Sequence, residues 1–394
     1  QDISIELLDV MGRYDNICNS IHLPLQSGSN RILKRMNRTY TRNHFIELAT
    51  NIRKKLPKDT KFMGIIKSNA YGHDLEKSAQ ALDGFVDGYG VVRLEEALKI
   101  RDISSKPILA MQGVYSSDAY DSLKHNDIWT VLHSVAQLPL AKQYLDELIF
   151  WIKLNTGMNR LGIGLDEIDQ FQSFFKEQNF LMTHLACADD PESPMTYEQL
   201  ERFESALEFF QEHSSKKPIC HLANSGGILH YPETFLDMVR PGIILYGVVP
   251  DPKSHKLLDL KPALSLKARV VYSKTVKAGS PISYGATWAP EEDIEVSTIP
   301  LGYGDGFRRD LSNRGNILIR GEKKPIVGRV CMDQFMVNTN LQKIPVGEEI
   351  VILGQMGNHS ITAEEMASDL GTIPYEVLTG LNQRIPRVYH PLKK

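Results

Sequence analysis

Cysteine is scarce in this chain, and a charge excess and long hydrophobic runs are missing. The four cysteines, at positions 18, 187, 220 and 331 of 394 residues, form no CxxC pair, so no zinc site, iron–sulfur cluster or other metal centre is expected. A formal net charge of −3 gives no reason to expect nucleic acid or an anionic membrane as a partner. No apolar run approaches the roughly 20 residues of a membrane span, and no secretory signal is visible. We therefore expect a soluble, cytoplasmic protein.

The most informative stretch is the apolar run at residues 62–66, which ends at Lys67 and continues into small, turn-forming residues at 68–72. The run predicts a buried strand. Burial lowers the pKa of a lysine amine, and a neutral amine can form a Schiff base with a carbonyl compound. A lone lysine at a strand end is more often a solvated surface charge. The functional interpretation therefore depends on the other motifs of the chain.

Residues 58–262 alternate between apolar strands and helical stretches. Residues 108–111, 128–132 and 149–154 predict buried strands, and Thr196 with Gln199 predicts a capping box that opens a helix ending at residue 213. Such alternation indicates parallel βα units in either an open doubly wound sheet or a closed barrel. After residue 262 the pattern changes to period two, first over residues 264–272 and then in further β-rich runs. We predict a mainly β domain there.

Six further stretches place unusual residues at predicted strand ends or in loops. They are Lys153-Leu154-Asn155-Thr156-Gly157-Met158-Asn159-Arg160, Thr183-His184, His221-Leu222-Ala223-Asn224-Ser225-Gly226-Gly227, Arg240-Pro241-Gly242-Ile243, Ser283-Tyr284-Gly285 and Arg329-Val330-Cys331-Met332-Asp333. Singly each is a weak signal: an arginine in a loop is usually a solvated charge, and a histidine at a strand end is usually a satisfied core residue. The glycine-rich third stretch suits a phosphate.

Together these motifs resemble a known family. Lys67-Ser68-Asn69-Ala70-Tyr71-Gly72-His73 closely resembles the cofactor-lysine motif of alanine racemases, Lys-Ala-Asn-Ala-Tyr-Gly-His-Gly, with Ser68 and Asp74 as the only departures. The other stretches follow in the family's order, so the resemblance extends from about residue 51 to the end. It implies an α/β fold: a (β/α)8 TIM-type barrel of pyridoxal-phosphate fold type III, followed by a mainly β C-terminal domain. It also implies a homodimer whose active site is shared between the subunits.

The resemblance further implies a pyridoxal-phosphate-dependent alanine racemase, which interconverts L-alanine and D-alanine and supplies D-alanine for peptidoglycan. Lys67 would bind the cofactor covalently, and Tyr284 from the partner subunit would be the second acid–base. Racemisation removes a proton from one face of Cα and returns one to the other, so a base is needed on each side. The phosphate would be held by Tyr71, Ser225, Gly242, Ile243 and Tyr375.

The remaining roles implied by the resemblance concern the ring and the substrate. His184 would stack on the pyridine ring, and Arg240 would face the ring nitrogen. Arg160 would reach the phenolic oxygen and, with the Met332 backbone, hold the substrate carboxylate. Lys153 matches a position that is often carbamylated in the family, where the added carboxylate would orient Arg160.

Two alternatives stay open, along with the origin of the N-terminal segment. The enzyme could racemise another small amino acid such as serine, or the chain could be a catalytically silent pyridoxal-phosphate-binding protein, although single-domain proteins of that kind lack the β domain.

Residues 22–42 resemble an internal piece of radical-SAM tRNA methylthiotransferases, but their CxxxCxxC motif is missing, so no such activity is inferred. We predict an appendage at 1–50, the barrel at 51–262 and the β-rich domain at 263–394.

Overall fold

The computed structural model describes residues 42–175, 180–214 and 217–389. The methylthiotransferase-like segment predicted from the first 50 residues lies outside the described residues as far as position 41. The first element described is helix α1, Arg42–Lys55, which packs against α2, Leu75–Leu82.

Eight parallel strands form the N-terminal sheet. They are β1 Lys61–Ile65, β2 Gly88–Val91, β3 Ile108–Ala110, β4 Trp129–Leu132, β5 Phe150–Lys153, β6 Phe180–Met182, β7 Ile219–His221 and β8 Met238–Val239. They pair in the order β7-β6-β5-β4-β3-β2-β1-β8. The ends of this order meet, because Asp237 N–H donates to Cys220 O over 3.2 Å and Arg240 N–H donates to Ala223 O over 2.8 Å. The sheet is thus a closed barrel, which periodicity alone could not decide.

The barrel strands are short and mostly apolar, because both of their faces are buried. Inside the barrel the rings of Trp151 and Phe180 lie 4.4 Å apart. On the outside, Phe150 contacts Phe174, which belongs to the 3₁₀ segment Leu165–Phe174. The strands predicted around residues 62–66, 108–111, 128–132 and 149–154 are confirmed to within one or two residues.

Besides the turn at Lys67–Tyr71, five more helices lie along the described residues of the barrel segment. They are α3 Leu94–Arg101, α4 Ser117–His125, α5 Leu138–Ala141, α6 Met195–His213 and α7 Ser225–His230. The capping box predicted for α6 is wrong. The helix begins one residue earlier, with Pro194 at its N-cap position, and Thr196 is buried inside the first turn. Gln199 instead turns inward and binds the loop after β6.

The β domain is an antiparallel sheet with two helices. Its strands are β9 Leu266–Arg269, β10 Tyr272–Val276, β11 Ile294–Ile299, β12 Asn316–Ile319, β13 Glu322–Val327, β14 Phe335–Asn338, β15 Glu349–Met356 and β16 His359–Ile361, and its helices are α8 Ala363–Leu370 and α9 Pro374–Gly380. The single strand predicted at 264–272 is wrong. β9 pairs with β15 and β10 pairs with β11, so the chain changes partners between them.

The β domain supports the loop that follows β1. A side chain at Gly72 would collide with the carbonyl of Leu378 in α9, and the guanidinium of Arg387 donates to Gly72 O over 2.9 Å. The lysine motif is therefore held from two sides, by the barrel and by the β domain. Among the described helices, none is long and apolar enough to cross a membrane.

Candidate active site

The predicted site residues of the barrel segment lie at the carboxyl ends of its strands, where barrel enzymes carry their sites. Lys67 follows β1, Lys153 ends β5, His184 follows β6 and Arg240 follows β8. Arg160 lies on the loop after β5 and interacts electrostatically with Lys67. Residues separated by more than 170 positions in the sequence thus share one electrostatic environment.

Lys67 opens an unusual turn. Ser68, Asn69, Ala70 and Tyr71 all have φ of 53° or 54°, so the chain makes a left-handed turn after the lysine. Left-handed helical backbone costs roughly 1–2 kcal/mol per non-glycine residue, and such strain persists only where the surrounding structure enforces it. The turn ends at Gly72, with φ of 84°, a conformation that glycine adopts readily.

The site is strongly cationic. Burial, with the charges of Arg160 and Arg240, lowers the pKa of Lys67, and Glu96 acts in the opposite direction. Burial and the charges of Arg240, Arg160 and Lys67 lower the pKa of Lys153 to about 8. Over the described stretches of the chain, no carboxylate forms an ion pair with Lys67, Lys153 or Arg160. A set of cations with no carboxylate in ion-pair contact favours anionic groups such as phosphate and carboxylate.

Arg240 binds the chain where β6 and β7 end. Its guanidinium donates to Thr183 O, His221 O and Leu222 O over 2.7–3.0 Å and lies 3.3 Å from His184 Nδ1. Burial lowers the pKa of Arg240 to about 9, which leaves the group charged at neutral pH. Burial, with Arg240 close by, lowers the pKa of His184 well below its usual value, so that the imidazole is neutral.

A small cradle lies between β7, β8 and the lysine turn. The Gly242 N–H donates to the buried Ser225 hydroxyl over 3.0 Å, and Asn224 caps α7 by accepting from the Gly227 N–H. A Cβ at Gly242 would come within 2.5 Å of the Tyr71 hydroxyl oxygen, so only glycine allows this hydroxyl to lie so close to the backbone. Tyr375 lies across from it, with its ring 5.9 Å from that of Tyr71, and Ile243 is buried beside it.

Two predicted site residues are not joined to this cluster within one chain. Tyr284 is 71% exposed and Met332 is 53% exposed, both in the β domain. No hydrogen bond or electrostatic interaction in the described part of the chain links Tyr284 or Met332 to Lys67. Within one chain, therefore, Lys67 lies in the barrel, and Tyr284 is exposed on the β domain.

The structure also shows two supporting residues that the sequence analysis missed. Glu96 accepts the Ser68 N–H over 2.7 Å, and the Gln199 amide donates to His184 O over 3.0 Å. The only local signal for Glu96 is its place in the acidic first turn of a helix, which does not reveal the bond to Ser68. Gln199 was interpreted as a cap, and its true partners are distant in sequence.

Comparison with known proteins agrees with this architecture. Family models for the N-terminal and C-terminal domains of alanine racemase match residues 43–250 and 263–389. The alanine racemase of Carboxydothermus hydrogenoformans is 38% identical over 350 residues, 85% of this chain and 94% of that protein. Alanine racemase 2 of Caldanaerobacter subterraneus subsp. tengcongensis is 37% identical over 343 residues, 84% of this chain and 88% of that protein.

Solved structures of alanine racemases also match most of this chain. The alanine racemase of Streptomyces lavendulae has a TM-score of 0.83 at 29% identity, covering 89% of this chain and 95% of that chain. The Bacillus anthracis alanine racemase with bound L-Ala-P has a TM-score of 0.82 at 30% identity, covering 90% and 95%. Fold and site together define a two-domain barrel enzyme with a cationic, lysine-centred site. The family is that of the pyridoxal-phosphate-dependent amino-acid isomerases that act on alanine. The chain belongs to the alanine racemase family.

Proposed function

We propose that this protein interconverts L-alanine and D-alanine with pyridoxal phosphate, as a homodimer in the cytoplasm, and that its D-alanine serves peptidoglycan synthesis. The observation that carries the proposal is the environment of Lys67. Burial and two arginines lower the pKa of this amine, which raises its neutral fraction, the form that reacts with an aldehyde. The family models, which match 43–250 and 263–389, support a division between barrel and β domain near residue 262.

The residues at the site fit pyridoxal phosphate. The Tyr71 hydroxyl, which lies close to the Gly242 backbone, and the Ser225 hydroxyl suit the phosphate, with Ile243 and Tyr375 beside them. Arg240 would hold the ring nitrogen, His184 would cover one face of the ring, and Arg160 would reach the phenolic oxygen. When bound, the cofactor supplies the electron sink that weakens the Cα–H bond of an amino acid.

The protein's own groups would then move the proton. Lys67 would act on one face of Cα, as a base or as its conjugate acid, and the partner subunit's Tyr284 would act on the other face. Because Arg240 keeps its proton at neutral pH, it can donate to the ring nitrogen but cannot protonate it fully. Arg160 and the Met332 backbone would hold the substrate carboxylate and so align the Cα–H bond between the two bases.

Two features of the single chain support the remaining parts of the proposal. The exposure of Tyr284 and Met332 is the arrangement expected of residues that complete the site of a second subunit. The lowered pKa of Lys153 raises the neutral fraction of that amine near neutral pH, and carbamylation requires a neutral amine. The added carboxylate would give Arg160 an anionic partner.

The test is the Lys67→Ala variant beside the unaltered protein. We expect a visible absorbance band of lysine-bound cofactor that borohydride removes, a reduced adduct on the Lys67 peptide by mass spectrometry, and racemisation of alanine in a D-alanine assay. The variant should keep its thermal melt and lose all three. A borohydride-sensitive band that persists in the variant would refute the assignment of Lys67. The unaltered protein with the adduct but without racemisation would favour a silent binding protein.

A further inference from the structure

The left-handed turn after Lys67 is bound to a neighbouring loop by one carboxylate. Glu96 lies in the first turn of α3, next to the end of β2. Its Oε1 accepts the Ser68 N–H over 2.7 Å. Its Oε2 accepts the N–H groups of Val92 and Arg93 over 3.1 and 3.2 Å. One side chain thus satisfies donors on two separate loops.

The bonds to Val92 and Arg93 have an ordinary explanation, because a glutamate at the third helical position commonly accepts from the residues before the helix. The bond to Ser68 has no part in capping α3. It attaches the carboxylate to the first residue of the strained turn, one position after Lys67. The far side of the turn is held separately, by the Asn69 side chain, which accepts the Leu75 N–H over 2.9 Å.

Glu96 also differs in charge from the other groups that act on Lys67. The charged and titratable groups facing Lys67 are those of Arg160, Arg240, Lys153, His184 and Glu96. Among these, Glu96 is the carboxylate, and it raises the pKa of Lys67 while the arginines lower it. Its carboxylate is therefore near enough to act on the lysine through space as well as through the turn.

We propose that Glu96 is a positioning residue of this site: by binding the Ser68 N–H it holds the left-handed turn, and thereby the Lys67 amine, in the place that proton transfer requires. The inference rests on the proposed function of Lys67. The substitution Glu96→Gln tests it closely, because an amide carries one acceptor oxygen where the carboxylate uses two. It must give up either the Ser68 bond or the cap, and it removes the charge in either case.

The experiment compares Glu96→Gln and Glu96→Ala with Glu95→Gln, a neighbouring exposed glutamate on the same helix turn. The holoenzymes are measured for kcat and KM with alanine, for the pH dependence of the visible absorbance of the lysine-bound cofactor, and for melting temperature. We expect both Glu96 variants to lose kcat by on the order of tenfold to a hundredfold, the scale of a misplaced catalytic group. KM should change less, and the absorbance midpoint should move to lower pH.

A role in capping alone would lower the melting temperature but leave kcat and the absorbance midpoint of the folded enzyme unchanged. If the Glu96→Gln variant has the same kcat or the same absorbance midpoint as Glu95→Gln, the inference is overturned. This comparison holds even if Glu96→Ala fails to fold. Loss of the proposed function itself looks different, because the unaltered protein would then form no borohydride-reducible adduct on Lys67.

Discussion

The substitution Gly242→Ala tests the shape of the cradle beside the lysine turn. The new Cβ would lie 2.5 Å from the Tyr71 hydroxyl oxygen and 3.2 Å from its Cζ. Since Cβ contacts under 3.0 Å are essentially never seen, the hydroxyl must retreat by about half an ångström. Tyr71 cannot move freely, because its ring is buried against Tyr246 at 5.0 Å and Tyr375 at 5.9 Å.

Overpacking of this kind costs about 1–3 kcal/mol of unfolding free energy. At roughly 2–4 °C per kcal/mol for domains of this size, the apo-protein should melt several degrees lower. The affinity for pyridoxal phosphate should also fall by about tenfold or more, since the methyl group displaces the Tyr71 hydroxyl, which we assign to the phosphate. Differential scanning fluorimetry and a fluorescence titration with the cofactor measure the two effects separately.

The double variant Gly242→Ala with Tyr71→Phe separates the clash from the chemistry. Without the hydroxyl, the nearest ring atom is the former Cζ, a contact that a small adjustment relieves. The melting temperature should therefore recover most of its loss, while cofactor affinity stays low because the phenol is gone. Gly84→Ala is the control, as its Cβ would meet nothing within 4 Å. A melting temperature that the Tyr71→Phe change fails to rescue would refute the steric argument.

Two further predictions concern assembly and pH. The Lys67→Ala and Tyr284→Phe variants should each be inactive. Exchanging subunits between them should restore activity, because one site of the mixed dimer then has both native residues. If activity does not return after confirmed exchange, the two groups act within one chain. Burial lowers the pKa of His73 to about 4, below the unfolded value of about 6.5, so the unfolded chain binds more protons between these values. The free energy of unfolding should fall by about 3 kcal/mol as pH drops from 6.5 to 4. In urea unfolding, His73→Asn should reduce this acid-side loss of stability. The control His125→Asn, at an exposed position, should not. An unchanged acid-side loss in His73→Asn would assign the acid sensitivity to another group.

Much of the fold could be predicted because its signals are local. The four barrel strands that were predicted are short apolar runs, and a run reports burial without reference to its partners. The predicted boundaries of strands and helices were wrong where contacts with distant residues decide them. The pattern at 264–272 is continuous in sequence, yet the chain leaves β15 for β11 within it. Thr196 and Gln199 have the spacing of a capping box, yet the Gln199 side chain is recruited by Thr156 and His184.

The sequence by itself determined the chemistry available: a lysine at the end of an apolar strand, glycines where a phosphate would approach, and arginines and a tyrosine in motifs that resemble one family. Only the tertiary structure decided that the parallel strands close into a barrel and that Lys67, Lys153 and Arg240 share one cationic environment. It also attached Glu96 to the lysine turn and left Tyr284 exposed. The physical reason is that a residue's type is a local property, whereas pKa, strain and hydrogen-bond partners depend on groups brought together from distant parts of the chain.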